Sequence, residues 1–258
     1  MKVLMLTVAG LAIAGVASAA TYNNAAQYAG TIGHGLRTGA TSSGGAAAPA
    51  GAFWSEVQNT NTTAGFGNQQ SAGNRVADNF TVGAGGWTIN SIRFFGYQTG
   101  SSTTSTFTGL NYQIWSGRPG DAGSVVVFGN TTTNTLTGSS FSGDYRIFNN
   151  TPGNTRPIMN LDVSGGANLA AGTYWLDWQA NGTLASGPWA PSITVLGANY
   201  AAGMNGRQLT TTGWADLLDA GSGTIHDLPF LIDYTAAPTP GAAAVFGIAG
   251  LAGLRRRR

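Results

Sequence analysis

Residues 227–234 read DLPFLIDY. In an extended chain successive side chains point to opposite faces, so Leu228, Phe230, Ile232 and Tyr234 share one face. Asp227, Pro229, Leu231 and Asp233 share the other. An apolar face that repeats every second residue over a short run is the pattern of a β-strand. Pro229 has no N–H to give to a ladder, which points to an edge position or a strand start.

The same grammar extends upstream. NFTV (79–82) and TINSIRFFGYQ (88–98) flank the turn GAGGW, and in LNYQIW (110–115) Leu110, Tyr112 and Ile114 alternate with Asn111, Gln113 and Trp115. SVVVFG (124–129), DYRIFN (144–149), IMNLDV (158–163), GTYWLDWQ (172–179) and SITVL (192–196) are further candidates, separated by turn-rich stretches such as SGRPGDAG (116–123). Short period-two runs with frequent glycine turns predict an all-β domain, and we expect a jelly-roll-like β-sandwich over residues 53–235. Residues 20–52 are dominated by small side chains. They read either as a mobile lead-in or as holding a first strand around Gln27 to Ile32. No repeat of fixed period argues for a solenoid or propeller.

Charge lies at the ends. The only lysine is Lys2, and four of the eleven arginines are Arg255, Arg256, Arg257 and Arg258. The central region sets seven arginines against ten acids, near −3, although the whole chain is formally +2. Nucleic acid is therefore not an expected partner, because its basic footprint would have to lie on the folded domain. The chain has no cysteine, which excludes thiolate zinc sites, iron–sulfur clusters and cysteine nucleophiles.

The N-terminus reads MKVLMLTVAGLAIAGVASA: a positive start at Lys2, an apolar stretch from Val3 to Val16, then the small residues Ala17-Ser18-Ala19. That is the layout of a secretory signal peptide, here residues 1–19, with a signal peptidase expected to cut after Ala19 or Ala20. At the other end, residues 236–258 hold Pro238-Thr239-Pro240, an apolar run from Gly241 to Leu254, and the cluster Arg255, Arg256, Arg257, Arg258. As a helix that run is roughly 21 Å long, against a hydrocarbon core of about 30 Å. Positive residues flanking apolar segments stay on the cytoplasmic side, so both ends would be held inside while the middle crosses.

A Pro-x-Pro motif, a short apolar stretch rich in Ala, Gly and Leu, and a terminal arginine cluster together resemble the PEP-CTERM sorting signal of bacterial exported proteins. The resemblance covers about twenty residues, and Thr239 stands where the family usually has Glu. It implies an exosortase-type membrane enzyme as partner. That enzyme would remove the tail after transient insertion in the inner membrane and deliver the protein to the cell envelope or the extracellular matrix. A tail left in place would instead be a permanent anchor.

Catalytic signals are weak. Glu56 is the only glutamate, His34 and His226 are the only histidines, and no Gly-x-Ser-x-Gly elbow occurs. A secreted hydrolase would need two carboxylates converging in space, which no spacing here indicates. No cofactor is expected; Ca2+ is the one ion worth weighing, at Asp121, Asp144, Asp216 and Asp219, which equally suit turn capping. In GTYWLDWQ, Trp175 shares a strand face with Asp177 and Gln179. An aromatic ring beside carboxylate and amide groups suits a sugar, and Trp189 in SGPWAP is a second candidate. The expected role is thus structural or adhesive, in surface or biofilm material, with a carbohydrate-binding module that engages extracellular polysaccharide through exposed tryptophans as the alternative.

Overall fold

The computed structural model describes residues 17–236. The apolar N-terminal stretch and the sorting-signal residues Pro238, Thr239, Pro240, Arg255, Arg256, Arg257 and Arg258 lie outside the described residues.

The chain is all-β. Its strands are β1 (Ser18–Asn23), β2 (Phe53–Val57), β3 (Phe66–Gly67), β4 (Arg75–Val82), β5 (Trp87–Gly96), β6 (Phe107–Trp115), β7 (Val126–Gly129) and β8 (Leu136–Phe148). They continue as β9 (Pro157–Ser164), β10 (Asn168–Leu169), β11 (Gly172–Gly182), β12 (Trp189–Ala190), β13 (Arg207–Thr210), β14 (Gly213–Asp216) and β15 (Phe230–Ala236). Among the described residues the only helical elements are two single 3-10 turns, Asn24–Gln27 and Gln70–Ala72.

Two large sheets account for most strands. The first runs β1-β15-β5-β9-β8-β2, with β10 added against β5, and the second runs β14-β13-β4-β11-β6-β7. Every neighbouring pair is antiparallel except β2 and β8, which are parallel. Side chains from both sheets meet in one apolar core. Phe94 of β5 lies 4.7 Å from Trp178 of β11, and Phe80 of β4 meets Phe230 of β15 edge-on at 6.3 Å. Edge-on and tilted ring contacts of this kind add to the burial of apolar area, which is the main favourable term holding the sheets together.

DLPFLIDY forms as its alternation predicts. Leu228, Phe230 and Ile232 are fully buried, and Pro229 directly precedes the strand. Of the two positions Pro229 allows, the strand start is the one found, because β15 runs between β1 and β5. The opposite face is less polar in its surroundings than its letters suggest, since Asp227 is also fully buried. At GAGGW, Gly85 and Gly86 have φ of 95° and 83°, and a Cβ on Gly86 would sit 2.5 Å from the Leu169 carbonyl oxygen. Only glycine accepts both demands.

Three expectations are corrected. Residues 20–52 are not a loose lead-in: Ala25, Tyr28 and Leu36 are buried, and Ala25 and Tyr28 pack with Ile193, Val195 and Met204. The first strand is Ser18–Asn23, whereas Gln27 to Ile32 is turn, ended by a bridge from Ile32 to Arg37. SITVL is buried from Ser192 to Val195, with Leu196 exposed, and joins no ladder. Its backbone instead donates to Asp227 O from Ile193 N and to Gly35 O from Thr194 N, so it serves as packing for the N-terminal segment.

Long loops need their own fasteners, and Asp219 is one. Its buried carboxylate accepts from the backbone N–H groups of Thr62, Thr63, Gly221 and Ser222 at 2.7 to 3.1 Å. Burial alone would raise its pKa, but the N–H groups, led by that of Ser222, prevail and hold it at about 2. Because the folded value lies below the ordinary one, this stabilisation is present above pH 4 and fades as pH falls toward 2. Two units correspond to about 2 to 3 kcal/mol. Urea unfolding followed by tryptophan fluorescence should therefore show about that much acid-induced loss in the wild type and clearly less in Asp219→Asn. Superimposable profiles would contradict the assignment.

Candidate functional site

The expected sugar platform is not an open surface. Trp175, Asp177 and Gln179 do share a face of β11, but that face is covered: Trp175 is 6% exposed and Asp177 0%. Arg75 donates from Nε to Asp177 Oδ1 at 2.7 Å, and Trp115 donates from Nε1 to Oδ2 at 3.0 Å. Burial raises the Asp177 pKa while the Arg75 guanidinium and these hydrogen bonds oppose it. The Arg118 guanidinium lies 5.9 Å from the centre of the Trp175 ring, and Gln179 Nε2 reaches Thr131 O at 3.4 Å. Trp189 is half-buried in β12, bridged through its backbone to Tyr97. These residues hold the fold, and sequence could not reveal it because Arg75 is 102 positions from Asp177.

Three of the four acids weighed for Ca2+ are engaged within the protein, and the fourth, Asp121, is exposed. Asp144 pairs with Arg37 at 2.8 Å, Asp216 takes both Arg118 and Arg207, and Asp121 lies 4.0 Å from Arg118. Asp219 is filled by backbone N–H groups. No three metal-ligating side chains converge among the described residues. His226 is buried, with Nε2 3.3 Å from Thr224 Oγ1, and burial lowers its pKa to about 4. His34 sits at positive φ, stacked on Phe95.

What the fold does bring together is the two ends of the described chain. β1 pairs antiparallel with β15, and Ser18 faces Ala236 directly, so the strands begin and end side by side. Directly opposed residues in an antiparallel pair lie about 4.5–5.5 Å apart. Thr21 Oγ1 donates to Asp233 Oδ1 at 2.5 Å across this pair, and Tyr22 packs against Phe80, Trp87 and Phe230. Trp87 and Tyr234 stack at 3.8 Å beside it.

A buried polar lock fixes the junction. Just past β1, Asn24 donates through Nδ2 to Leu228 O at 2.7 Å and to Asp78 Oδ2 at 3.1 Å, and its Oδ1 accepts from Phe230 N at 3.0 Å. Asp78 Oδ2 also accepts from Leu228 N at 2.7 Å, and Oδ1 from Asn79 N at 2.7 Å. Asp227 Oδ1 accepts from Asn205 N and Gly206 N, and Oδ2 from the Tyr28 hydroxyl. Asn24, Asp78 and Asp227 are all 0% exposed. Burial drives the Asp78 pKa well up, and the neighbouring Asp227 charge adds to it; burial likewise raises Asp227. Burial and mutual repulsion thus both work against the two carboxyls being charged at once. Their burial shuts out any substrate. The pair ties the N-terminal segment, β4 and the entry to β15 into one body.

None of the family models compared with this chain matches it, and no curated protein and no solved structure matches it either.

Removing one member of a buried network strands its partners. Asn24→Ala should cost about 2–4 kcal/mol, from three lost bonds that leave Leu228 O and Phe230 N buried without that partner. Hydrogen exchange should show the loss concentrated in residues 18–37, with β4, β6 and β11 keeping their protection. Uniform loss over both sheets, or no loss, would contradict the lock.

Proposed function

We propose that this chain is an exported bacterial surface or extracellular-matrix protein with a structural or adhesive role. Its β-domain is a jelly-roll-like sandwich delivered by an N-terminal signal peptide and processed at a C-terminal sorting tail by an exosortase-type enzyme. The observation that carries this reading is the pairing of Ser18 with Ala236. The candidate signal-peptidase site Ala17-Ser18-Ala19 and the start of the tail, two residues before Pro238, are covalently continuous with adjacent strands at one end of one sheet.

That geometry suits a domain tethered at both ends during export. A crossing loop must keep its two membrane-bound ends close, and an antiparallel terminal pair folds without separating them. Cutting after Ala19 or Ala20 still leaves Thr21, Tyr22 and Asn23 opposite Asp233, Ile232 and Leu231, so at least half of the ladder and the Asn24 lock survive maturation. The shortage of charge is consistent with a scaffold rather than a domain that recruits charged partners: 9% of the residues are charged, and several acids are consumed inside the protein. The burial of Trp175 and Asp177 weighs against a tryptophan platform on that face of β11, and the Asp78–Asp227 pair is closed to solvent.

The arginine cluster is the part of the tail whose role is simplest to test. Replacing Arg255, Arg256, Arg257 and Arg258 by alanine removes the charge that retains the tail on the cytoplasmic side. In its natural host the variant should bypass the sorting enzyme and accumulate with an uncut tail, while the wild type is found processed. Identical processing and distribution of the two would overturn the sorting role.

A further inference from the structure

Away from the terminal pair, a cleft of about 460 Å³ opens where β2 ends, between the 38–43 turn, Asn149 and Leu196. Volumes from about 300 Å³ upward accommodate small ligands. Its floor carries Glu56, the only glutamate in the chain, 3% exposed. The carboxylate makes no ion pair among the described residues. Its only side-chain hydrogen bonds there are long ones from Ser43: the backbone N–H at 3.4 Å to each oxygen and the hydroxyl at 3.3 Å. The buried Arg146 of β8 does not neutralise it. Four of that guanidinium's five N–H groups go to Ala64 O, Ser55, Thr194 and Ser192 at 2.7 to 3.0 Å, and none to Glu56.

A carboxylate nine-tenths buried normally gathers several strong donors, as Asp219 does in this same protein. Glu56 instead lines the cleft with lone pairs to spare, so its remaining donors are water or a ligand that displaces water there. The walls narrow the choice. Among the described residues no lysine or arginine lines the cleft, so an anion has no partner there. A hard divalent cation would need six to eight oxygens, and no second acid stands among those lining residues. Asn149 Oδ1 is taken by Gly44 N, which leaves the Asn149 amide N–H groups free as donors, and the Thr41 hydroxyl can act either way. An amine supplies donors only. A vicinal diol supplies donors for Glu56 and acceptors for Asn149 together, while Val57 and Leu196 offer apolar surface to ring C–H groups.

We propose that this cleft binds a neutral glycosyl unit, with Glu56 accepting hydrogen bonds from adjacent sugar hydroxyls and Asn149 donating to them. The site is independent of the sorting tail and of the buried tryptophan face of β11. Its ligand class is neutral polyhydroxylated rings, presented singly or along a polysaccharide.

The test uses the full-length chain in a sugar-free detergent and three probes: methyl β-D-glucopyranoside, methyl α-D-mannopyranoside and methyl N-acetyl-β-D-glucosaminide. Saturation-transfer NMR should detect at least one at millimolar concentration, and titration calorimetry should give its affinity. Glu56→Gln, which replaces one of the two acceptor oxygens by an NH2 donor, should weaken binding by about tenfold or more. Thr41→Lys alters an exposed residue that lines the same cleft, places an ammonium there, and should abolish binding while the protein stays folded. It keeps the test decisive if Glu56→Gln folds poorly. Absence of binding for all three probes would overturn the proposal, as would undiminished binding in Thr41→Lys, or a response to Ca2+ alone.

Discussion

Asn24 is the residue on which the terminal architecture turns. Its single amide satisfies Leu228 O, Phe230 N and Asp78 at once, in a site without solvent. An amide in that position both donates and accepts, which no apolar or charged residue of its size can do. Through Asp78 it is coupled to β4, and through Leu228 and Phe230 to the entry of β15. Asp227 extends the same network to Tyr28 and to the Asn205–Gly206 backbone. The ends of the folded chain are thus held by directional bonds laid over an apolar floor of Phe80, Trp87 and Phe230. Buried polar networks of this kind are costly when incomplete and specific when complete.

The same economy runs through the molecule. Charged residues are scarce, and the fold uses them internally: Arg75 with Asp177, Arg37 with Asp144, Arg146 among hydroxyls and a carbonyl, Asp219 among backbone N–H groups. Each joins segments distant in sequence, where apolar packing alone would not fix the register of long glycine-rich loops. Glu56 departs from this pattern. It is buried like the others yet held only by long contacts at the floor of a cleft, and that contrast within one protein is what marks the cleft as a place for a ligand.

Strands are legible where alternation is clean. TINSIRFFG lies within β5 and GTYWLDWQ within β11, because period-two patterns depend only on local geometry. The N-terminal segment is not legible, since Ser18–Asn23 owes its strand to β15, more than two hundred residues away, and its small side chains carry no pattern of their own. β13 and β14 escape for the same reason: RQLT and GWAD are short and mixed, and form a hairpin on β4. Trp175 shows the limit for sites. Alternation places it on the same face as Asp177 and Gln179, but what covers that face, Arg75 and Arg118 above all, is a tertiary fact. Asp78 and Asp227 carry a faint signal, as acids within or beside apolar strands, that they are buried partners rather than surface charges.

The central claim is that both terminal segments are temporary and that the paired ends Ser18 and Ala236 mark where they are removed. The most direct measurement is the intact mass of the protein recovered from the envelope and medium of its natural host. The account predicts a chain that begins at Ala20 or Thr21 and ends close to Pro238, with the β1–β15 pair as its terminus. A chain still carrying Arg255, Arg256, Arg257 and Arg258 would contradict it, and would make the tail a permanent anchor.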